Sequence, residues 1–515
     1  MQNTHIDIAV IGGGPGGYAT ALRASELGLS VILINREERL GGTCLNRGCI
    51  PSKALITATR AIHNVSDAKR MGIDASIDSI DFAKLAAFKD NAVKTMTDGL
   101  ASLLAARKVN VVKGEASIVE NHRVRVTTDV ANTDNRSADD ATVPERTSKN
   151  DAQSVNNSNN PDSPDSSSSF EINADNIVIA TGSRPRPLPD HPFAGRIIDS
   201  TQALDLPRFP KSAVIVGAGA VAVEFASMWN AAGVDVTMLI RHERVLSHMH
   251  RRTSIALTRA LARNGVHIVT YSHLTDVKNA PNAPDATVSY ACDKDENGTE
   301  HEVQAEVVLA AIGRDPNTNA DWFKDAGIEL DEHDLVNTDA NGATSQPGIW
   351  ALGDITQGPA LAYRAFEQGI VIAESIAGLN PKPVDNATVP VVVFSTPEFA
   401  SVGLTLEKAK ANPDIHDPKE TVYPMMGNAR ILMSGEPGSM SVVTGSHDDR
   451  PDTPVILGVH MLAPDAGDLI AEAEQLVGNR VPLGDAARLI HPHPTFSEAF
   501  GEVLLKADGR PLHTR

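Results

Sequence analysis

The chain has 515 residues, 41% of them hydrophobic and 22% charged, enough apolar material for several packed domains rather than a disordered polymer. Asp plus Glu number 65 against 46 Lys plus Arg, a net charge of −19 at pH 7, which argues against a nucleic-acid or anionic-membrane surface. Cys44, Cys49 and Cys292 are the three cysteines, the N-terminus has no basic and apolar leader, and no apolar run is long enough to cross a bilayer, so a cytoplasmic protein without a disulfide framework, a membrane partner or a nucleic-acid partner is expected.

In chain order, Ile6 to Ile11 reads as a buried strand that runs into Gly12-Gly13-Gly14-Pro15-Gly16-Gly17. A small-residue helix is predicted from about Gly17 to Leu27, stopped by Gly28, and a second strand over Ser30 to Ile34. The same grammar returns as a strand over Ala213 to Val216, Gly217-Ala218-Gly219, a helix through Trp229, Gly233 and a strand over Asp235 to Ile240. Two such units imply two dinucleotides, or one dinucleotide and one pseudo-repeat. Between them, roughly residues 129 to 169 form an insert rich in Asn, Ser, Asp and Thr. Its flanks, Arg123 to Thr127 and Phe170 to Ile172, alternate like paired strands, so the insert is expected to be a disordered, overgrown hairpin loop. Asp295-Glu296-Asn297-Gly298 signals another hairpin, and from about Val389 the pattern changes to strands and helices of a separate C-terminal domain.

The glycines of Gly12-x-Gly14-x-x-Gly17 allow a tight turn, close approach of a pyrophosphate and helix–strand packing, and Pro15 between them is a further candidate for cofactor contact. The acid that normally ends the second strand of such a unit, holding ribose hydroxyls, is replaced by Asn35, with Glu37 and Glu38 just beyond. In the second fingerprint, Gly217-x-Gly219-x-x-Ala222, the acid is replaced by Ile240, followed by Arg241, His242 and Arg244. A carboxylate there would accept the 2′-hydroxyl of NAD, whereas cations suit the 2′-phosphate of NADP, so these residues lean towards NADP.

The chemistry concentrates in Gly41-Gly42-Thr43-Cys44-Leu45-Asn46-Arg47-Gly48-Cys49-Ile50-Pro51-Ser52-Lys53. Cysteines five apart on a regular helix are too distant to bridge, so the turn must distort, which Gly48 permits. A helix start lowers thiol pKa, as a reactive thiolate needs. Near the C-terminus, His493 has Pro494 after it and Glu498 five residues on, a spacing in which the carboxylate can bond one ring nitrogen and raise the basicity of the other. His491 is the competing base, but Phe496 stands five residues beyond it. Cys292 lies in a polar hairpin and is expected to be inert, and no metal site is expected.

These segments resemble the flavin-dependent pyridine nucleotide–disulfide oxidoreductases over the whole chain except the insert. Ala180-Thr181-Gly182-Ser183 resembles the family's crossover into the nicotinamide domain, and Ala311 to Asn317, with Gly313, the return. Ala351-Leu352-Gly353-Asp354, followed by Ala360, Leu361, Ala362 and Tyr363, resembles the segment along the flavin's ribityl chain, and His491 to Glu498 the catalytic-base segment. The resemblance implies an α/β fold: two Rossmann-like domains for FAD and NAD(P) (residues 1–206 and 207–317), a central segment (318–385) and a dimerising α+β domain (386–515). It implies a redox-active Cys44–Cys49 disulfide, Cys44 exchanging with substrate and Cys49 facing the flavin. Lys53 would lie beside the flavin N5, paired with Glu224, and Gly42, Thr43 and Ala116 would join the flavin contacts. The base His493 would come from the other subunit of a homodimer.

Within the family, Ile50 to Leu55 and His493 to Ala499 are most similar to dihydrolipoamide dehydrogenases. That implies oxidation of dihydrolipoyl groups on an acyltransferase or glycine-cleavage partner, with NAD or NADP as acceptor. The second fingerprint is instead similar to NADPH-dependent glutathione reductases, although the second arginine expected there is Ser247. The alternatives are therefore an NADPH-dependent reductase of a small disulfide and a flavoprotein subunit without catalysis. Tyr363, where dihydrolipoamide dehydrogenases commonly have histidine, is a further departure.

Overall fold

The computed structural model describes residues 6–129, 167–279, 283–295 and 299–514. The bulk of the expected disordered insert, and the turn residues 296–298 of the later hairpin, lie outside them.

Strand β1 (Ile6–Ile11) runs parallel between β2 (Val31–Asn35) and strand Ser167–Ile179. Ile8, Ala9 and Val10 are fully buried, as a central parallel strand covered on both faces must be. Strand Asn110–Lys113 extends the sheet on one side and Ile349–Ala351 on the other, both parallel. The first half of Ser167–Ile179 leaves this sheet and pairs antiparallel with Arg123–Asp129, which pairs with Glu115–Glu120. Those are the paired flanks of the insert. Helix α1 (Pro15–Glu26) starts at Pro15, two residues before the expected start, because Pro occupies its first position and Gly14 caps it in extended conformation. It crosses helix Ala362–Ile376 so closely that a Cβ on Gly369 would lie 2.8 Å from the Gly16 carbonyl oxygen.

The second unit is a five-stranded sheet, in the order His267–Thr270, Asp235–Ile240, Ser212–Val216, Val307–Ala310, Ile197–Ile198, all parallel. A three-stranded antiparallel sheet of Ser272–Lys278, Ala286–Cys292 and Glu300–Ala305 sits beside it. The chain enters and leaves this unit on one antiparallel pair, Ser183–Pro185 with Arg314–Pro316. The C-terminal residues form a five-stranded antiparallel sheet from Val391–Val393 to Arg450–Ala463. Helices Ala466–Gly478 and Glu498–Ala507 bury Ile470, Ala473, Phe500 and Leu504 in its core. Among the described residues no helix is long and apolar enough to cross a membrane.

Candidate active site

The first glycine turn is built for close approach. Gly12 has φ +113°, and a Cβ on Gly17 would sit 1.8 Å from the Gly12 carbonyl oxygen. The turn opens on a cavity of about 1560 Å³ that Gly12, Gly14, Pro15, Asn35, Gly42 and Thr43 line, together with Ala116, Thr181, Gly182, Ser183, Gly353, Asp354 and the 360–363 segment. Its volume exceeds the roughly 300–1,000 Å³ of ordinary small-ligand sites, as a dinucleotide requires. Gly17 does not line it and acts through packing. Asn35 is buried and donates both amide hydrogens, to the carbonyls of Glu37 (2.7 Å) and Arg39 (3.1 Å). Its oxygen, beside Gly13, is therefore an oriented acceptor for a ribose hydroxyl. Glu37 and Glu38 are held by Arg47 and Lys113. Asp354 accepts from the Ser183 hydroxyl (2.5 Å), and the half-buried Arg314 donates to both the hydroxyl and the carbonyl of Ser183 (2.7 and 2.6 Å).

The cysteines bracket the expected helix break. Helix α2 (Gly42–Arg47) carries Cys44 and ends at Gly48, and helix α3 (Cys49–Asp67) restarts on Cys49. Both are free thiols lining the cavity. They differ in charge preference: the hydrogen bond from Cys44, aided by Lys53, holds the Cys49 thiol down at about 7 against the cost of burial. The same bond, with burial, pushes Cys44 well up. Lys53 Nζ lies 2.8 and 3.1 Å from the two carboxylate oxygens of Glu224, 171 residues away, and 4.5 Å from the Phe394 ring centroid. Glu224 also accepts the Phe394 backbone N–H at 3.1 Å. Tyr363 lines the same cavity and donates its hydroxyl to the Pro390 carbonyl at 2.5 Å. Burial pushes its pKa up to about 12. Tyr18, also lining the cavity, packs at 5.7 Å from Phe366. Nothing in the local sequence singled Tyr18 out.

The second glycine turn is a separate cradle. Gly217, Gly219, Ala222, Arg241, His242 and Gly313 are absent from the cavity lining, whereas Ala220, Val221 and Glu224 of the following helix reach it. A Cβ on Gly217 would meet the Ala311 carbonyl oxygen at 2.2 Å. Ile240 is buried and Arg241 and His242 are exposed. Arg244 turns inward to the Ser247 carbonyl (2.7 Å) and Glu243 (3.0 Å), which leaves Arg241 as the arginine of the pair facing solvent, with His242 exposed beside it.

His493 does not line the cavity of its own chain. Its Nδ1 lies 2.7 Å from Glu498 Oε2, its side chain is 78% exposed, and its bond to Pro494 is cis. The buried Asn428 donates to Glu498 Oε1 (3.1 Å) and to the Thr495 carbonyl (2.9 Å), fixing the carboxylate that orients the imidazole. That contact spans 70 residues and left no mark in the motif. His491 also has a carboxylate partner, Glu472 of helix Ala466–Gly478 at 2.8 Å, but the His491 side chain is only 8% exposed. Burial, not the absence of an acid, separates the two histidines.

Residues 6–369 match the pyridine nucleotide-disulphide oxidoreductase family, and residues 389–504 match that family's dimerisation domain. The chain is 36% identical to a dihydrolipoyl dehydrogenase of Geobacillus stearothermophilus over 506 residues, 98% of this chain and 96% of that one. It is 35% identical to a Bacillus subtilis dihydrolipoyl dehydrogenase over 98% of this chain and 97% of that one. The solved structure of LpdA from Mycobacterium tuberculosis superposes with a TM-score of 0.80 at 25% identity, over 98% of this chain and all of that one. With a thiol pair on a helix break, two glycine cradles and a match spanning nearly the whole length, the chain belongs to the pyridine nucleotide-disulphide oxidoreductases.

Proposed function

We propose that the protein is a dihydrolipoyl dehydrogenase that oxidises a dihydrolipoyl dithiol through Cys44 and Cys49, with FAD in the large cavity and a nicotinamide coenzyme at the second cradle. The observation that carries this reading is the pairing of Cys44 and Cys49, with their opposite thiol preferences, beside Lys53 and Glu224 in a cavity of dinucleotide size. The Gly12–Gly17 turn, the Asn35 acceptor and Asp354 suit a pyrophosphate, ribose hydroxyls and a polyol chain respectively, so the residues present fit FAD. When bound, FAD supplies the two-electron relay between the cysteine pair and the nicotinamide.

The protein's residues then act as follows. A substrate thiolate attacks Cys44 Sγ of the Cys44–Cys49 disulfide, and Cys49 leaves as the thiolate that its surroundings favour. His493 of the partner subunit takes the proton from the second substrate thiol, which displaces Cys44 from the mixed disulfide and closes the substrate disulfide. The imidazolium returns that proton to Cys44. One dithiol is oxidised and one enzyme disulfide reduced. The exposure of His493, its distance from its own chain's cavity and the dimerisation match support a homodimer in which each site is completed across the interface. Exposed Met426, Leu432, Met433 and Ile490 in the same domain are apolar surface that a second copy would cover. Lipoyl groups on an acyltransferase or glycine-cleavage carrier are the partners this reading calls for.

For the coenzyme, the buried Ile240 and the exposed Arg241 and His242 favour a 2′-phosphate over a bare hydroxyl, because the strand-end position that would carry the carboxylate is apolar and the nearby Glu243 is paired with Arg244 and Arg251. The same observation supports a second reading, an NADPH-dependent reductase of a small disulfide. Initial rates of dihydrolipoamide oxidation by FAD-loaded protein, with NAD and NADP in parallel, separate them. Turnover with either coenzyme is the expected result; negligible turnover with both, and reduction of a low-molecular-weight disulfide by NADPH, overturns the first reading.

A further inference from the structure

The hairpin joining Ala286–Cys292 to Glu300–Ala305 gathers three different donor types at its turn end. Cys292 Sγ, one Asp295 carboxylate oxygen and one His301 ring nitrogen all lie within 4.8 Å of one another, and they are the one such His/Cys/Asp/Glu group among the described residues. The register explains the convergence. His301 stands opposite Tyr290, so Cys292, two residues on, projects from the same face as Tyr290 and lies on the diagonal to His301. Asp295 turns back over them, its backbone N–H bonded to the Cys292 carbonyl (3.1 Å) and Oδ2 2.7 Å from His301 Nε2. The Tyr290 ring stacks on the His301 imidazole at 5.4 Å and fixes its plane. The nearby cation, Lys294, is diverted onto the Tyr271 ring at 3.6 Å, so it does not neutralise the cluster.

The geometry points to Cys292, Asp295 and His301 as a binding site for a zinc-class divalent cation, with water completing the coordination. One thiolate, one imidazole and one carboxylate are the donors such an ion takes in four-coordinate sites, with bonds of about 2.0–2.3 Å. The ion takes the place of the hydrogen bond between His301 Nε2 and Asp295 Oδ2, the two atoms moving apart to about 3.3 Å and Cys292 Sγ closing on them from within 4.8 Å. Binding releases one proton, from the Cys292 thiol, to solvent, and His301 binds as neutral imidazole. The ion clips the two strands together at the turn end of the hairpin, away from the flavin cavity, whose lining includes none of the three residues.

The test uses FAD-loaded protein with Cys44 and Cys49 changed to serine, which leaves Cys292 as the sole thiol. Cobalt(II) is titrated as the probe, and its ligand-field bands are read to the red of flavin absorption. One equivalent with the intense bands of four-coordinate, thiolate-bound cobalt is expected, displaced by zinc. Adding Cys292→Ser should abolish the bands, and His301→Asn or Asp295→Asn should weaken binding at least tenfold, with flavin retention showing that each variant is folded. Weak six-coordinate spectra, or bands that survive Cys292→Ser, overturn the assignment.

Discussion

The junction between the second unit and the C-terminal sheet makes stability depend on pH in a way that can be worked out from geometry. His250 caps helix Arg251–Arg263 and stacks on His460 of strand Arg450–Ala463, with ring centroids 4.3 Å apart and planes 13° apart. Both rings are buried. His460 Nε2 lies 3.1 Å from the Leu404 carbonyl, which can only accept, so Nδ1 is the acceptor of the Ser401 hydroxyl at 2.7 Å. The ring is thus held neutral. Burial, then the neighbouring His250, lowers the His460 pKa from 6.5 to about 3; Lys408 opposes protonation as well, while the Glu420 charge and the Leu404 carbonyl favour it. The unfolded chain takes up this proton near pH 6.5 and the folded one does not. Stability is therefore full above that pH and falls as pH drops from 6.5 towards the folded value. At about 1.4 kcal/mol per pH unit, going from pH 6.5 to 4.5 costs roughly 2–3 kcal/mol.

His460→Phe keeps a stacking ring and removes the proton site. It leaves the Ser401 and Leu404 partners unpaired, a loss of about 1–3 kcal/mol that does not vary with pH. Urea unfolding at pH 6.5, 5.5 and 4.5 is the assay, read as the change in unfolding free energy of the wild type minus that of the variant. A difference of about 2 kcal/mol across this window is expected. Equal acid sensitivity in the two proteins would refute the argument. A second loss belongs to Glu420, bonded to His250 Nε2 at 3.0 Å, whose pKa is lowered to about 2 chiefly by that bond. Its contribution is present above about 4.5 and disappears as pH falls from there towards 2, so both groups weaken the junction in acid.

Four further outcomes follow from the site. Gly17→Ala places a methyl 1.8 Å from the Gly12 carbonyl oxygen, so flavin retention on gel filtration should fall at least tenfold relative to wild type. Lys53→Met, paired with Glu224→Gln so that no buried charge is stranded, removes the larger, lowering effect of Lys53 on the Cys49 thiol together with the smaller, raising effect of Glu224; the pH profile of thiol alkylation should move up, by less than about one unit. Glu498→Gln leaves the hydrogen bond to Asn428 possible but withdraws the charge that orients His493, and dithiol oxidation should slow by about 10–100-fold. An unchanged rate would remove Glu498 from the proposed mechanism. Arg241→Ala should lower kcat/KM with NADP about tenfold and leave NAD rates within twofold if the arginine reads a phosphate.

Much of this protein is written locally. The two glycine turns, the strand before each, the helix break at Gly48 and the spacing of His493 to Glu498 were all legible in the sequence, because each depends on residues within one turn of chain. Steric freedom at Gly12 and Gly48 and the reach of a carboxylate across five residues need no distant partner. The helix ends shifted by only a residue or two, since capping is equally local. What only the tertiary structure decided lies between elements. Asn428 orients Glu498 across 70 residues. His491 finds its acid on a neighbouring helix, and His250 at a helix start stacks on His460 of the C-terminal sheet. Arg244, which from sequence was as free to read a phosphate as Arg241, is turned inward by a carbonyl that the loop fold presents. Strand register brings Cys292 beside His301. Register and packing are set by the burial of whole faces, so the side chains they bring together carry no fixed spacing in the chain.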